Sequence, residues 1–170
     1  SPPRLGLLGH SLGALSSLLW AGADVEPGLA ERCSQNLQQI PVLDSSFLLQ
    51  CQLTELSLPA LEPPAGLDAV VVLNSFGSLL WGERGLASIA VPVLSIGGSM
   101  DLITPPLNEQ LRPFQQLQHP ASRLALVAGG SHFSAVGLRR DQALMQLGSD
   151  LVGEDPRLVQ QALVELHVRF

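Results

Sequence analysis

The stretch Arg4-Leu5-Gly6-Leu7-Leu8-Gly9-His10-Ser11-Leu12-Gly13-Ala14-Leu15-Ser16-Ser17-Leu18-Leu19-Trp20-Ala21 decides the fold. Residues 4–8 form a short apolar run, and in residues 12–21 Leu12, Leu15, Ser16 and Leu19 fall on one helical face. Between them, Gly9-His10-Ser11-Leu12-Gly13 has the spacing G-x-S-x-G. That spacing carries meaning where a strand precedes it and a helix follows, because a strained turn then lifts the serine hydroxyl above the end of a sheet. Glycines at positions 9 and 13 are expected to keep the turn free of Cβ clashes and to let strand and helix approach closely. A helix start aims unpaired N–H groups at the serine, so the backbone N–H of Leu12 is a candidate donor to an oxyanion formed there.

Three further apolar runs, residues 67–74, 91–96 and 122–128, are continuous rather than alternating, as strands covered on both faces of a parallel sheet must be. Helical patterns lie between and after them. Residues 108–117 follow Pro105-Pro106. The last helix has Asp155 as N-cap, Pro156 at its first position and a stripe of Val159, Ala162, Leu163, Leu166 and Phe170. Strands alternating with helices predict an α/β fold with a mainly parallel sheet and helices on both faces, in a single domain spanning residues 1–170. Residues 24–66 exceed the usual short connection. They read either as a lid insertion over the site or as a plain surface excursion, with one helix marked by Leu29, Cys33 and Leu37.

A serine hydroxyl attacks poorly until a base removes its proton, and the base must be oriented by a third group. Asp101 follows the third run through Gly97-Gly98-Ser99-Met100, and His132 follows the fourth through Gly129-Gly130-Ser131. Both therefore sit at C-terminal strand ends, where a parallel sheet presents its functional loops. The alternatives are weaker. His10 lies inside the turn and is expected to point away from the hydroxyl, His119 precedes Pro120 in a connection, and His167 belongs to the last helix. Asp44 lies in the long excursion, Asp141, Asp150 and Asp155 in helical or capping positions, and Asp68 at the opposite end of the sheet. Asn74, ending the second run, has no charge to stabilise an imidazolium.

The composition is 46 % apolar and only 14 % charged. That is more apolar surface than a small domain needs, unless strands are buried on both faces or some of it meets other material. A net charge of −6 excludes a nucleic-acid partner, whose phosphates require a positive surface. No membrane span is expected, since the most apolar stretch, residues 5–23, is broken by Gly6, Gly9, His10, Ser11 and Gly13. Histidines and cysteines lack metal-ligand spacing and no nucleotide-binding glycine motif is present, so no metal and no cofactor is expected. Cys33 and Cys51 are either two buried thiols or one local disulfide. A bridge would favour an extracytoplasmic location, and free thiols a cytoplasmic one.

Gly9-His10-Ser11-Leu12-Gly13-Ala14, Gly98-Ser99-Met100-Asp101-Leu102-Ile103-Thr104-Pro105 and Gly129-Gly130-Ser131-His132-Phe133-Ser134 together resemble the cyanobacterial dienelactone-hydrolase-like α/β-hydrolases. That group is similar in turn to the platelet-activating-factor acetylhydrolases. Trp20-Ala21-Gly22-Ala23, the pair Cys33 and Cys51, and residues 106–114 fit the same pattern. The resemblance implies a hydrolase of an ester or similar acyl bond in a small-molecule substrate, with Ser11 as nucleophile, Asp101 as acid and His132 as base. Members of the group carry several strands before the nucleophile strand and a second oxyanion donor in an earlier loop. The chain is therefore expected to be the C-terminal half of a partial α/β-hydrolase fold. Its first strand would lie at an exposed edge open to self-association, and its turnover would be reduced by about 10²–10³. Two other readings stay open. One is a non-catalytic truncated domain used for binding or assembly; the other is an acyltransferase that passes the acyl group to an alcohol.

Overall fold

The computed structural model describes residues 4–39, 44–56, 58–135 and 155–170. Strands β1 (Leu5–His10), β2 (Leu67–Leu73), β3 (Val93–Gly98) and β4 (Arg123–Val127) form one sheet in the order β1-β2-β3-β4, with all three pairings parallel. This is the expected class, an α/β fold with a parallel sheet and helices on both faces. Side chains alternate across each strand. On one face Val70 and Val72 meet α1 (Leu12–Trp20) and α4 (Ser78–Trp81), through a core that includes Ala14, Leu18, Leu80 and Trp81. On the other, Leu73, Leu94 and Ile96 meet Val159 and Leu163 of the last described helix, α6 (Pro156–Arg169). Burial on both faces explains why the strand runs are continuous.

Several boundaries and faces differ from expectation. β1 continues to His10 and β3 to Gly98, because Gly9↔Val72, His10↔Leu73 and Gly98↔Val127 remain paired; their glycines read as turn residues in the sequence. The buried face of α1 is Ala14, Leu15, Ser17, Leu18 and Leu19, while Leu12 and Ser16 are exposed. The helix starts immediately after the turn, so its first residue projects beyond the sheet rather than onto it. In α6, Val159 and Leu163 are buried, Ala162 and Leu166 half-buried, and Phe170, past the helix end, is exposed. Asp155 caps this helix by accepting from the N–H groups of Arg157 and Leu158.

The helix expected over 108–117 is a π turn, Leu107–Leu111, running into α5 (Arg112–Phe114). Proline is the cause: Pro113 has no N–H to donate back to the carbonyl of Glu109. That carbonyl instead accepts the Ser75 hydroxyl at 2.8 Å.

Residues 24–66, of which 40–43 and 57 lie outside the description, hold α2 (Leu29–Gln39) and a helix not foreseen, α3 (Ser45–Cys51). Asp44 caps α3, and a Cys33–Cys51 disulfide with Cα atoms 5.7 Å apart ties it to α2. Phe47 packs against Cys33 and Leu79. Among the described residues no helix is long and apolar enough to cross a membrane. β1 pairs on one side only among the described strands, and Leu8 is 64 % exposed. An open cleft of about 550 Å³ runs beside it, lined by Leu8, His10, Leu163, Val164, His167 and Val168 among others.

Candidate active site

Ser11 occupies the sharp bend between β1 and α1 at φ 55°, ψ −120°, a backbone region that L side chains rarely adopt. The neighbouring strand over-determines it, since the Ser11 N–H donates to the Leu73 carbonyl at 3.0 Å. Gly9 is required by contact: a Cβ there would stand 2.2 Å from the Gly13 carbonyl oxygen. Gly13 corrects the expected symmetry, because a Cβ at that position meets nothing within 4 Å. The Leu12 N–H belongs to the first residue of α1, a position with no carbonyl four residues earlier within the helix to receive it.

The loops after β3 and β4 run side by side. A Cβ on Gly98 would lie 2.4 Å from the Gly130 oxygen, and the Met100 N–H donates to that same oxygen at 2.8 Å. This contact brings Asp101 and His132 together, each 2 % exposed. Oδ1 of Asp101 accepts from the N–H groups of Ile103 (2.9 Å) and Thr104 (2.8 Å). Its Oδ2 accepts the Thr104 hydroxyl at 2.7 Å and faces His132 Nδ1 at 2.8 Å. The opposite ring nitrogen, Nε2, lies 3.0 Å from Ser11 Oγ. A proton on Nδ1 directed at the carboxylate leaves Nε2 with the lone pair that a serine hydroxyl needs. An arrangement of this kind can deprotonate the hydroxyl and hold the resulting imidazolium.

The His10 side chain reaches the loop that carries His132. Its Nε2 lies 2.7 Å from the His132 carbonyl oxygen and therefore carries a proton to donate, and the two rings are 4.9 Å apart. Burial lowers the His10 pKa, opposed by that hydrogen bond. Asn74, dismissed as uncharged, is buried with φ 45°. Its Oδ1 accepts from the Gly98 N–H at 3.0 Å, and its Nδ2 donates to the His132 oxygen at 2.8 Å. A polar residue closing a buried apolar run was the available signal.

Glu109 was also missed. It is 1 % exposed, and its carboxyl group is met by Ser46 Oγ, Gln50 Nε2, the N–H groups of Gly77 and Ser78, and Ser78 Oγ. Burial raises its pKa, opposed first by the Ser78 donors. The sequence offers no sign of this, since a lone glutamate in a helix ordinarily faces water.

The remaining candidates have structural places. Asp44 and Asp155 cap helices, Asp68 pairs with Arg4, His119 Nδ1 accepts the Ala121 N–H at 3.2 Å, and His167 donates within α6 to the Leu163 carbonyl. Asp141 and Asp150 lie outside the described residues. Among the described residues no cluster of three or more His, Cys, Asp or Glu side chains could hold a metal ion.

No protein-family model matches the chain, and no curated protein matches it. Among solved structures it is similar to the esterase domain of a Rhodothermus marinus protein, at 17 % identity and TM-score 0.43, over 99 % of this chain and 61 % of that one. It is also similar to a monoacylglycerol lipase of Paleococcus ferrophilus, at 18 % identity and TM-score 0.41, over 95 % of this chain and 68 % of that one. The chain thus spans less than two thirds of the esterase domain's length.

Proposed function

We propose that this chain is part of a serine hydrolase that cleaves an ester or similar acyl bond through an acyl-enzyme. The observation that carries the reading is the series Ser11 Oγ–His132 Nε2 at 3.0 Å and His132 Nδ1–Asp101 Oδ2 at 2.8 Å, with the serine in a conformation that only a tightly held turn sustains.

In this reading His132 Nε2 takes the Ser11 proton as Oγ bonds to the acyl carbon, and the carbonyl π pair moves onto oxygen. The Leu12 N–H donates to that oxyanion. When the tetrahedral intermediate collapses, the bond to the leaving oxygen breaks and His132 delivers the proton to it. Water then repeats the sequence on the acyl-enzyme, with His132 again the base and Ser11 restored. Asp101 holds the ring with Nδ1 protonated and balances the imidazolium charge. The start of α3 adjoins the acid loop in this reading, since Ser45 Oγ lies 3.2 Å from the Leu102 carbonyl and 3.3 Å from that of Ile103, beside Asp101.

A fluorophosphonate probe tests this. It should label the chain at Ser11, and labelling should vanish in Ser11→Ala and fall steeply in His132→Ala. Equal labelling of the chain and of Ser11→Ala would remove the nucleophile.

A further inference from the structure

We infer that Asn74 is a positioning residue for His132, setting the height of the imidazole against Ser11 and the pitch of the base loop against the acid loop. The inference rests on the hydrolase reading and adds a residue to it.

Three elements meet at this side chain. Through Oδ1 it takes the N–H of Gly98, the last residue of β3 before the acid loop, at 3.0 Å. Through Nδ2 it donates to the carbonyls of Ser131 (3.3 Å) and His132 (2.8 Å) in the base loop. Its own carbonyl lies 3.3 Å from Thr104 Oγ1, the hydroxyl that also donates to Asp101 Oδ2. The His132 carbonyl is thereby held twice, by Asn74 from the end of β2 and by His10 from the end of β1, which uses both of its lone pairs. His10 is the residue next to Ser11, so the loop carrying the base is tethered to the strand carrying the hydroxyl.

Only a side chain with an acceptor and a donor on one short stem makes both contacts. A carboxylate in its place would present oxygen to two carbonyl oxygens. A positive φ at residue 74 gives a competing explanation, because asparagine tolerates that conformation better than most residues. Glycine separates the two, since it accepts the same φ without strain and lacks the amide.

The experiment compares the chain with Asn74→Gly, Asn74→Asp and Asn74→Ala. Ester turnover with a p-nitrophenyl ester is read as separate kcat and KM values. In parallel, the proton NMR signal of the His132 Nδ1–H is followed, assigned by its loss in His132→Gln. Misplacement of a catalytic group by about 1 Å costs on the order of 10²-fold. Asn74→Gly should therefore lose roughly 10- to 100-fold in kcat with KM within about twofold, while melting cooperatively. Its Nδ1–H signal should broaden or move. Asn74→Asp should be at least as impaired above neutral pH. A glycine variant with wild-type kcat, or with the signal unchanged, would overturn the inference and leave φ as the reason for asparagine. If the unsubstituted chain shows neither turnover nor probe labelling, the hydrolase reading fails by itself, and the NMR comparison still decides whether Asn74 positions His132.

Discussion

Asp44 and Glu109 meet at one hydroxyl: Ser46 Oγ lies 2.5 Å from Asp44 Oδ1 and 2.8 Å from Glu109 Oε1. That hydroxyl has a single hydrogen, so it cannot donate to both carboxyl groups. A proton on Glu109 resolves the conflict, because Glu109 then donates to Ser46 and Ser46 to Asp44. The direction of the Glu109 pKa agrees. Burial holds it above the ordinary value of 4.5, so near and above that pH the folded chain retains a proton that the unfolded chain releases. This contribution to stability is complete below pH 4.5 and is lost as pH rises through the folded-state value.

Glu109→Gln should therefore destabilise the chain, and by more in acid than at neutral pH. An amide at this position meets either the Gln50 amide or the Gly77 and Ser78 N–H groups donor to donor. A conflict of that kind costs about 1–3 kcal/mol. Urea unfolding of both proteins between pH 4 and pH 8 measures it. A difference that shrinks toward acid contradicts the assignment.

The two glycines flanking Ser11 should behave oppositely. Gly9→Ala drives a methyl group to 2.2 Å from the Gly13 carbonyl, which forces strand and helix apart. We expect loss of probe labelling and a destabilisation of about 1–3 kcal/mol, the range for overpacking. Gly13→Ala meets open space and gains helix propensity, by up to about 1 kcal/mol. Equal effects from the two substitutions in thermal melts would mean that the contact is not what the motif needs glycine for.

The Cys33–Cys51 disulfide closes a sequence separation of 18 and holds α3, which supplies Ser46 and Gln50 to Glu109. A loop of that length is worth about 3 kcal/mol in the chain-entropy account. The double substitution Cys33→Ser, Cys51→Ser should lower stability by that order and make the protein indifferent to reductant. An unchanged unfolding midpoint when dithiothreitol is added to the unsubstituted chain would exclude the bridge as a stabiliser.

The sheet and the serine turn were legible because they are local. Continuous apolar runs show double-sided burial, and G-x-S-x-G between a strand and a helix describes the bend at Ser11. Asp101 and His132 were legible by placement, each after a glycine-rich strand end, and the Gly98–Gly130 contact shows why those glycines are there. What stayed hidden depends on partners far away in sequence. Asn74 looks like an inert strand end until the carbonyl of His132, 58 positions on, is seen beside it. Glu109 looks solvated until α3 and the start of α4 close around it. Ser46 and Gln50, more than 50 positions before it, carry no pattern that points its way. The cysteine pairing was open for the same reason, since nothing in either cysteine's neighbourhood says how α2 and α3 are oriented.

His10 gives the last test, and its sign is opposite to that of Glu109. Burial is the largest influence on the imidazole and lowers its pKa below the ordinary 6.5, against the hydrogen bond to the His132 carbonyl. The unfolded chain therefore binds a proton at this residue before the folded chain does. The contribution is present above pH 6.5 and is lost as pH falls through the folded-state value. Glutamine at position 10 keeps an N–H that can reach the same carbonyl and does not titrate. Compared with His10→Gln, the unsubstituted chain should thus lose stability progressively below pH 6.5 and run parallel to it above. The comparison sets aside the titration of Glu109, which both proteins share. Denaturant unfolding at pH 5, 6, 7 and 8 reads it directly. A difference that favours the histidine more strongly in acid would show that the carbonyl bond outweighs burial, and that His10 is charged where it touches the loop of His132.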